Sequence, residues 1–292
     1  MDATKDREKT SRAWAEIQTD RNLWNHPFTE RYIERRVGAT GGRNWVQHMH
    51  AEMLGGATFR RALALGCGAG GADHSLNNQF GFESLVGIDI SEGAIAAAQK
   101  ATDEAGLPFK YVVSDLNEPL PPEAEGPFDM VYAMASIHHI ERLEPLFAQI
   151  SERLTPDGRF WFLEYCGPSR FQWRQRVLEL SNRILDVLPP ELKGPFERVA
   201  RPSPDVFANY DPSESVRSAE IMDLVHLYFD EVAVRDLGFT LAQPLLNEIL
   251  RNFDDANPLH TSIYRLVYLL EETLMDHGVI EADTKLAVFK RR

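Results

Sequence analysis

Apolar and polar positions alternate in blocks through the first two-thirds of the chain. Five short, nearly unbroken apolar runs cover residues 60–65, 84–90, 109–113, 128–133 and 160–165. Between them lie longer stretches, 72–80, 92–105 and 137–154, whose apolar residues recur three and four positions apart. The runs predict strands and the stretches predict helices. Gly106 and Pro108 close the second helix, and Pro156-Asp157-Gly158 turns the third into the fifth strand. Strands alternating with helices at this spacing predict a parallel sheet, and runs without polar alternation predict a sheet buried on both faces.

The pattern changes after Gly167. Residues 168–228 read as mostly helical, interrupted by Pro189-Pro190 and by a proline-rich stretch at 202–212. A sixth strand is expected at 230–237, helices at 244–253 and 262–275, and a last strand at 284–289. In the 262–275 helix, Ile263, Leu266, Val267, Leu270 and Leu274 share one face, which predicts the buried side. At the other end, residues 1–10 read as a frayed tail. Residues 11–55, with Trp14, Trp24 and Trp45, read as short helices.

The chain has 292 residues, enough for about two domains or one with large insertions. At 43% hydrophobic and 26% charged residues it can bury a full core without cross-links. A formal charge of −13 repels a polyphosphate, so nucleic acid is not the expected partner. Cys67 and Cys166 are the only cysteines, and their separation supports neither a disulfide framework nor a thiolate metal site. The charged start lacks the apolar core of a signal peptide, and no apolar run nears the ~18 residues of a membrane span. A cytoplasmic protein with no metal is the expectation.

The densest signal is Ala62-Leu63-Ala64-Leu65-Gly66-Cys67-Gly68-Ala69-Gly70-Gly71, an apolar strand running into glycines and then a helix. Such a turn admits a ligand close to the backbone and offers it the unpaired N–H groups of a helix start. Asp89 closes the next strand, where its carboxylate can accept both hydroxyls of a ribose. Gly66, Gly68 and Gly71 also fit the dinucleotide spacing, so the glycines alone leave a nicotinamide-dependent oxidoreductase open. Asp115 favours an adenosyl pocket: it ends the third strand, where it can meet an adenine amino group while Leu116 packs on the ring.

Five segments in order resemble the class I S-adenosylmethionine (SAM)-dependent methyltransferases: Leu65–Gly70, Gly87-Ile88-Asp89-Ile90-Ser91, Ser114-Asp115-Leu116, Phe128-Asp129-Met130-Val131 and Leu154-Thr155-Pro156-Asp157-Gly158. The resemblance implies a Rossmann-like, doubly wound α/β sheet of seven strands, the last antiparallel and inserted between the fifth and sixth. It implies SAM as cofactor. Gly66, Cys67, Gly68 and Gly70 would line its methionine and ribose parts, Asp89 and Ile90 the ribose, Asp115 and Leu116 the adenine, and the backbone of Ala133 the methionine amino group. It also implies a helical lid at 1–55, a core at 56–167, a helical cap over the acceptor at 168–228, and the last two strands with inserted helices at 229–292.

Methyl transfer from a sulfonium asks the protein to align a nucleophile and take its proton. A base is therefore sought after strands four and five. Ser136-Ile137-His138-His139 follows the fourth, where a helix start capped by Ser136 would keep an imidazole neutral. Glu164 ends the fifth, placed to orient that imidazole. The pair resembles the His-plus-acid arrangement of small-molecule O-methyltransferases, those acting on natural-product sugars included, and this implies His138 as general base and Glu164 as its orienting acid. Histidines there also occur in relatives that work by proximity, which leaves N- and C-methylation open. On a helix His139 points roughly 100° away from His138, so it is expected to touch the acceptor instead. Trp173, Tyr210 and Arg217 in the cap suit a planar or acidic small-molecule acceptor. A SAM-binding protein without catalysis is the remaining alternative. Oligomeric state is not encoded in these patterns.

Overall fold

The computed structural model describes residues 9, 23–209 and 211–292, so Trp14 and Tyr210 lie outside the described residues. Seven strands form one sheet: β1 (Arg61–Leu65), β2 (Ser84–Asp89), β3 (Phe109–Val113), β4 (Phe128–Met134), β5 (Leu154–Tyr165), β6 (Phe229–Gly238) and β7 (Thr284–Arg291). Their order is β3-β2-β1-β4-β5-β7-β6. Strands β1 to β5 pair in parallel, and β7 runs antiparallel between β5 and β6.

Alternate residues of each central strand enter two different cores. Ala62, Ala64, Trp161, Leu163, Leu286 and Val288 face one, while Leu63, Leu65, Phe160, Phe162, Ala287 and Phe289 face the other. This two-sided burial is why the strands read as continuous apolar runs. The first core collects residues of Pro27–Val37, Gly71–Phe80, Gln175–Val187, Ala242–Ile249 and Pro258–Asp276; the second is closed by Leu143–Arg153 and Ile221–Tyr228. Helix Glu92–Ala105 shows how local chemistry fixes the boundaries. The Ser91 hydroxyl accepts from Ala94 N–H at its start, and Gly106 ends it in the left-handed region.

The 168–228 segment is mostly helical, as expected, with helices Gln175–Val187, Pro190–Lys193, Pro204–Asn209 and Ile221–Tyr228 and irregular chain between them. Two expectations are corrected. The helix expected over 137–154 is two elements, a single 3₁₀ turn, Ile137–His139, and an α-helix, Leu143–Arg153. In Pro258–Asp276 the buried residues are Tyr264, Val267, Tyr268 and Glu271, whereas Leu266 and Leu270 are exposed. Of the expected face, Val267 is buried and Ile263 and Leu274 pack partly buried against the cores, while Leu266 and Leu270 turn outward because two tyrosines and a glutamate, hydrogen-bonded or ring-packed inside, share the core face. Among the described residues no helix is long and apolar enough to cross a membrane.

Candidate active site

The strand order reverses between β1 and β4, and the loops leaving β1, β2, β3 and β4 gather at one edge, where open α/β sheets bind ligands. Gly66 leaves β1 with φ 65°, and a Cβ there would stand 2.3 Å from Ser136 Cβ. No other residue fits that approach, which the Ser136 hydroxyl seals by donating to Leu65 O at 2.7 Å. Gly70, with φ 77°, begins helix Gly71–Phe80, and a Cβ there would meet the Tyr111 hydroxyl at 2.8 Å. Between them Gly68 N–H donates to Asp89 Oδ2 at 2.8 Å, while Asp89 Oδ1 accepts from Ser91 N–H at 2.9 Å. Each Asp89 oxygen retains acceptor capacity, as two ribose hydroxyls require. Ile90 continues that turn, half-buried.

Asp115 follows β3, and its Oδ1 accepts from the backbone and side-chain N–H groups of Asn117 at 2.9 and 3.1 Å. Leu116 beside it is buried in the second core. Ala133 is fully buried on β4, in register with Leu65. The Cys67 thiol is pushed far up by burial and by the carboxylates of Asp73 and Asp89, so it is a neutral wall of the loop. Beneath the loop lies a buried acid that sequence reading passed over: Asp73 accepts from the Tyr132 hydroxyl at 2.6 Å, and burial pushes its carboxyl up to about 6. In the sequence Asp73 has the look of an ordinary acid in a helix's first turn. These residues fit an adenosyl group: a cradle that a Cβ would fill, followed by two carboxylates at consecutive strand ends.

Beside this cradle stands the His–Glu pair. Glu164 is fully buried at the end of β5. Its Oε2 accepts from the N–H groups of Ser136 and Ile137 at 2.8 and 2.7 Å, and its Oε1 accepts from Tyr165 N–H at 2.8 Å and is hydrogen-bonded to His138 Nδ1. The turn is thus capped by Glu164, and Ser136, expected to cap it, points back to β1. His138 and His139 do not diverge as on an α-helix. In the tighter turn their ring centroids are 4.1 Å apart, and both rings face Glu214 of the cap: His138 Nε2 is 3.4 Å from Oε1 and His139 Nε2 is 4.0 Å from Oε2. Burial alone would lower the His138 pKa, but Glu164, Glu214 and Asp211 outweigh it and hold it up at about 9. His139 is held well below the usual histidine range by burial, by His138 and by Arg170. Burial pushes the Glu214 carboxyl up. Glu214 and Asp211 escaped sequence reading because they sit in an irregular loop some 75 residues further along, with no periodicity to mark them.

The remaining cap residues are placed differently from expectation. Trp173 stacks on Phe171 at 5.8 Å and packs against both the first core and a smaller one around Val177 and Leu241. Arg217, expected to meet the acceptor, grips Glu144 with both terminal nitrogens at 2.8 and 2.7 Å and also bonds Glu220. It therefore ties the cap to helix Leu143–Arg153. Tyr32, in the 1–55 segment expected to form the lid, donates to buried Glu271 at 2.8 Å and is a core residue.

Comparison with known proteins agrees with this geometry. Residues 62–158 match the family described as Methyltransferase domain. Phosphoethanolamine N-methyltransferase 3 of Arabidopsis thaliana is 28% identical over 171 residues, 59% of this chain and 34% of that protein. Chloroplastic tocopherol O-methyltransferase of the same plant is 26% identical over 230 residues, 74% of this chain and 62% of that protein. The chain thus spans less than two-thirds of either relative. The crystal structure of geranyl diphosphate C-methyltransferase from Streptomyces coelicolor A3(2), in complex with Mg2+, geranyl diphosphate and S-adenosyl-L-homocysteine, superposes with a TM-score of 0.56 at 14% identity, covering 99% of this chain and 100% of that one. That likeness establishes the fold. Residues 62–158 thus match the Methyltransferase domain family, and the strand order of the sheet that holds them agrees with that match.

Proposed function

We propose that the protein transfers the methyl group of SAM to a hydroxyl oxygen of a small-molecule acceptor, with His138 taking the acceptor's proton and Glu164 orienting it. The observation that carries this reading is the His138–Glu164 hydrogen bond through Nδ1, which leaves Nε2 as the proton-exchanging atom at the strand ends beside the glycine cradle; with its pKa held up at about 9, His138 acts as base in the fraction that has lost that proton, so turnover should rise with pH towards 9. Bound SAM supplies an electrophilic methyl group on a cationic sulfur. Gly66, Cys67, Gly68 and Gly70 hold its amino-acid and ribose parts, Asp89 and Ile90 the ribose, Asp115 and Leu116 the adenine, and Ala133 backbone the amino group. Glu164 fixes the His138 ring and raises its proton affinity, and the buried turn keeps water from the nucleophile. His139 borders the acceptor, under a cap formed by 168–228.

The relatives' names span nitrogen, oxygen and carbon acceptors. Oxygen is favoured because a hydroxyl must lose a proton, and a carboxylate-backed imidazole is the equipment for that. The test is His138→Ala, which should lower turnover by about 10²- to 10⁴-fold while the SAM dissociation constant shifts by less than about threefold. Turnover near that of the unaltered protein would remove the assignment and leave alignment alone as the mechanism. A thermal shift with SAM and none with NAD separates this reading from the dinucleotide one.

A further inference from the structure

The turn Ile137–His139 and the cap loop beyond residue 210 bring together a donor set that methyl transfer does not fully use. Two consecutive imidazoles present Nε2 to one carboxylate, Glu214, at 3.4 and 4.0 Å. One donor atom from each of the three residues lies within 4.8 Å of the others. Three ligands held at about 2.1 Å from one ion, with angles near 100°, stand roughly 3–3.5 Å apart. The His138–Glu214 spacing of 3.4 Å is already in that range and the others, at most 4.8 Å, need to close by up to roughly 1.5 Å, through rotation of the Glu214 side chain and a small shift of the two rings.

A second observation concerns the far side of each ring. His138 Nδ1 is bonded to Glu164, whose oxygens also accept three backbone N–H groups, so Glu164 accepts and Nδ1 carries the hydrogen. His139 Nδ1 lies 3.0 Å from Ser213 Oγ. Ser213 gives its own hydroxyl hydrogen to Asp211 Oδ1 at 2.6 Å, so it must accept from His139 Nδ1–H. Both rings are thereby oriented with Nε2 towards Glu214, and an ion bound there would displace the proton that His138 carries. An imidazole backed through its other nitrogen by a carboxylate, directly or through one hydroxyl, is how proteins orient histidine ligands of metal ions.

We propose that His138 Nε2, His139 Nε2 and the Glu214 carboxylate form a binding site for a divalent transition-metal ion. Two imidazoles and one carboxylate suit Zn2+, Mn2+, Fe2+ or Co2+ rather than the all-oxygen preference of Mg2+ or Ca2+. Three protein ligands leave positions for water or for an acceptor hydroxyl that displaces it. The use of the ion rests on the hydroxyl-methylation reading: a bound hydroxyl is acidified, its proton passes to solvent, and its oxygen is ready for the methyl group. In the loaded protein His138 therefore serves as ligand and Glu164 as its brace, while the base role belongs to the ion-free form. Sequence reading assigned no metal because Glu214 lies 75 residues beyond His139 in a segment without a ligand motif.

The test is titration of tag-free, chelator-treated protein with Co2+, followed by visible ligand-field absorption and by calorimetry. One equivalent should bind with a dissociation constant below about 10 µM. His139→Ala and Glu214→Gln should weaken binding at least 100-fold, and Glu164→Gln by about 10- to 100-fold. A SAM-induced thermal shift in each variant certifies its fold, and the unaltered protein decides the matter if a variant does not fold. Absence of stoichiometric Co2+ binding by the unaltered protein, or equal binding by folded Glu214→Gln, overturns the site. Methyl transfer undiminished in excess chelator overturns the ion's role and leaves the methylation reading standing. Stoichiometric Co2+ binding in a protein that methylates no hydroxyl compound does the reverse.

Discussion

Two glutamates in this molecule are equally buried and equally bonded, yet their side-chain partners differ in kind. Glu164 and Glu271 are both fully buried, and each accepts three backbone N–H groups and one side-chain donor. Glu271 lashes the turn after β6, at Phe239, Leu241 and Ala242, to the Tyr32 hydroxyl. Tyr32 is enclosed by Phe239 and Tyr268, and burial, reinforced by Glu271, pushes its phenol far beyond titration. Glu164 lashes the turn after β4 to His138, an imidazole with a second nitrogen facing the cap. A buried carboxylate is therefore not in itself a mark of catalysis. What distinguishes the two is whether the side-chain partner can change its protonation and meet something new.

The sharpest way to break this comparison is to alter both acids. Glu271→Ala strands three N–H groups and a phenol, and should cost about 3–5 kcal/mol, read as a fall in melting temperature of roughly 10 °C. Turnover per folded molecule should stay near that of the unaltered protein. Glu164→Gln keeps the shape but sets an amide N–H against a backbone N–H, costing about 1–3 kcal/mol, and should lower turnover by at least tenfold. Equal losses of turnover in the two folded variants would show that both acids merely hold the scaffold.

The same contrast explains what could be read from the chain. The sheet was legible because its strands are buried on both faces and are punctuated by glycines at the ligand edge. The gathering of Gly66, Asp89, Asp115, His138 and Glu164 at one sheet edge was legible too, since each sits at or just beyond a strand end, at positions a linear pattern marks. Glu214 and Asp211 were not, because their place is set by cap packing and not by local periodicity. Glu271 was hidden for a related reason. The leucines of Pro258–Asp276 form a convincing apolar stripe, but hydrogen bonds from Tyr32 and three backbone groups turn the glutamate inward.

A third buried acid sharpens the comparison at lower cost. Asp73 resembles Glu271 in having a tyrosine partner, but it lies under the cofactor loop and its folded pKa is raised to about 6. A raised pKa means the folded state holds the proton more tightly than the unfolded chain, so this contribution is complete at low pH and fades as pH rises through 6. Asp73→Asn keeps an acceptor for Tyr132 and cannot ionise. Between pH 5 and 8 its stability relative to the unaltered protein should therefore improve by about 1 kcal/mol in denaturant melts. A pH-independent difference would mean that Asp73 is not held in the protonated form.

The smallest effect belongs to an acid at the surface. Glu144 is held down at about 2, first by its hydrogen bonds from Arg217, and it is 40% exposed. Solvent screening therefore limits the pair, despite its two-pronged geometry, to about 0.5–1 kcal/mol. A depressed pKa gives stability that is present above the ordinary carboxylate range and lost as pH falls from about 4.5 towards 2. Arg217→Ala should thus lower stability by that small amount at pH 7, by less as the pH approaches 4, and by less again in 0.5 M salt. Its larger consequence should be positional, because Arg217 joins the cap loop bearing Glu214 to the helix after the histidine turn. A loosened loop should raise the acceptor KM more than it lowers kcat, whereas a residue that binds the acceptor directly would lose kcat/KM with no change in the salt dependence of stability. Unchanged KM together with unchanged melting would show that this surface clamp, unlike Glu164 and Glu271, organises nothing beyond itself.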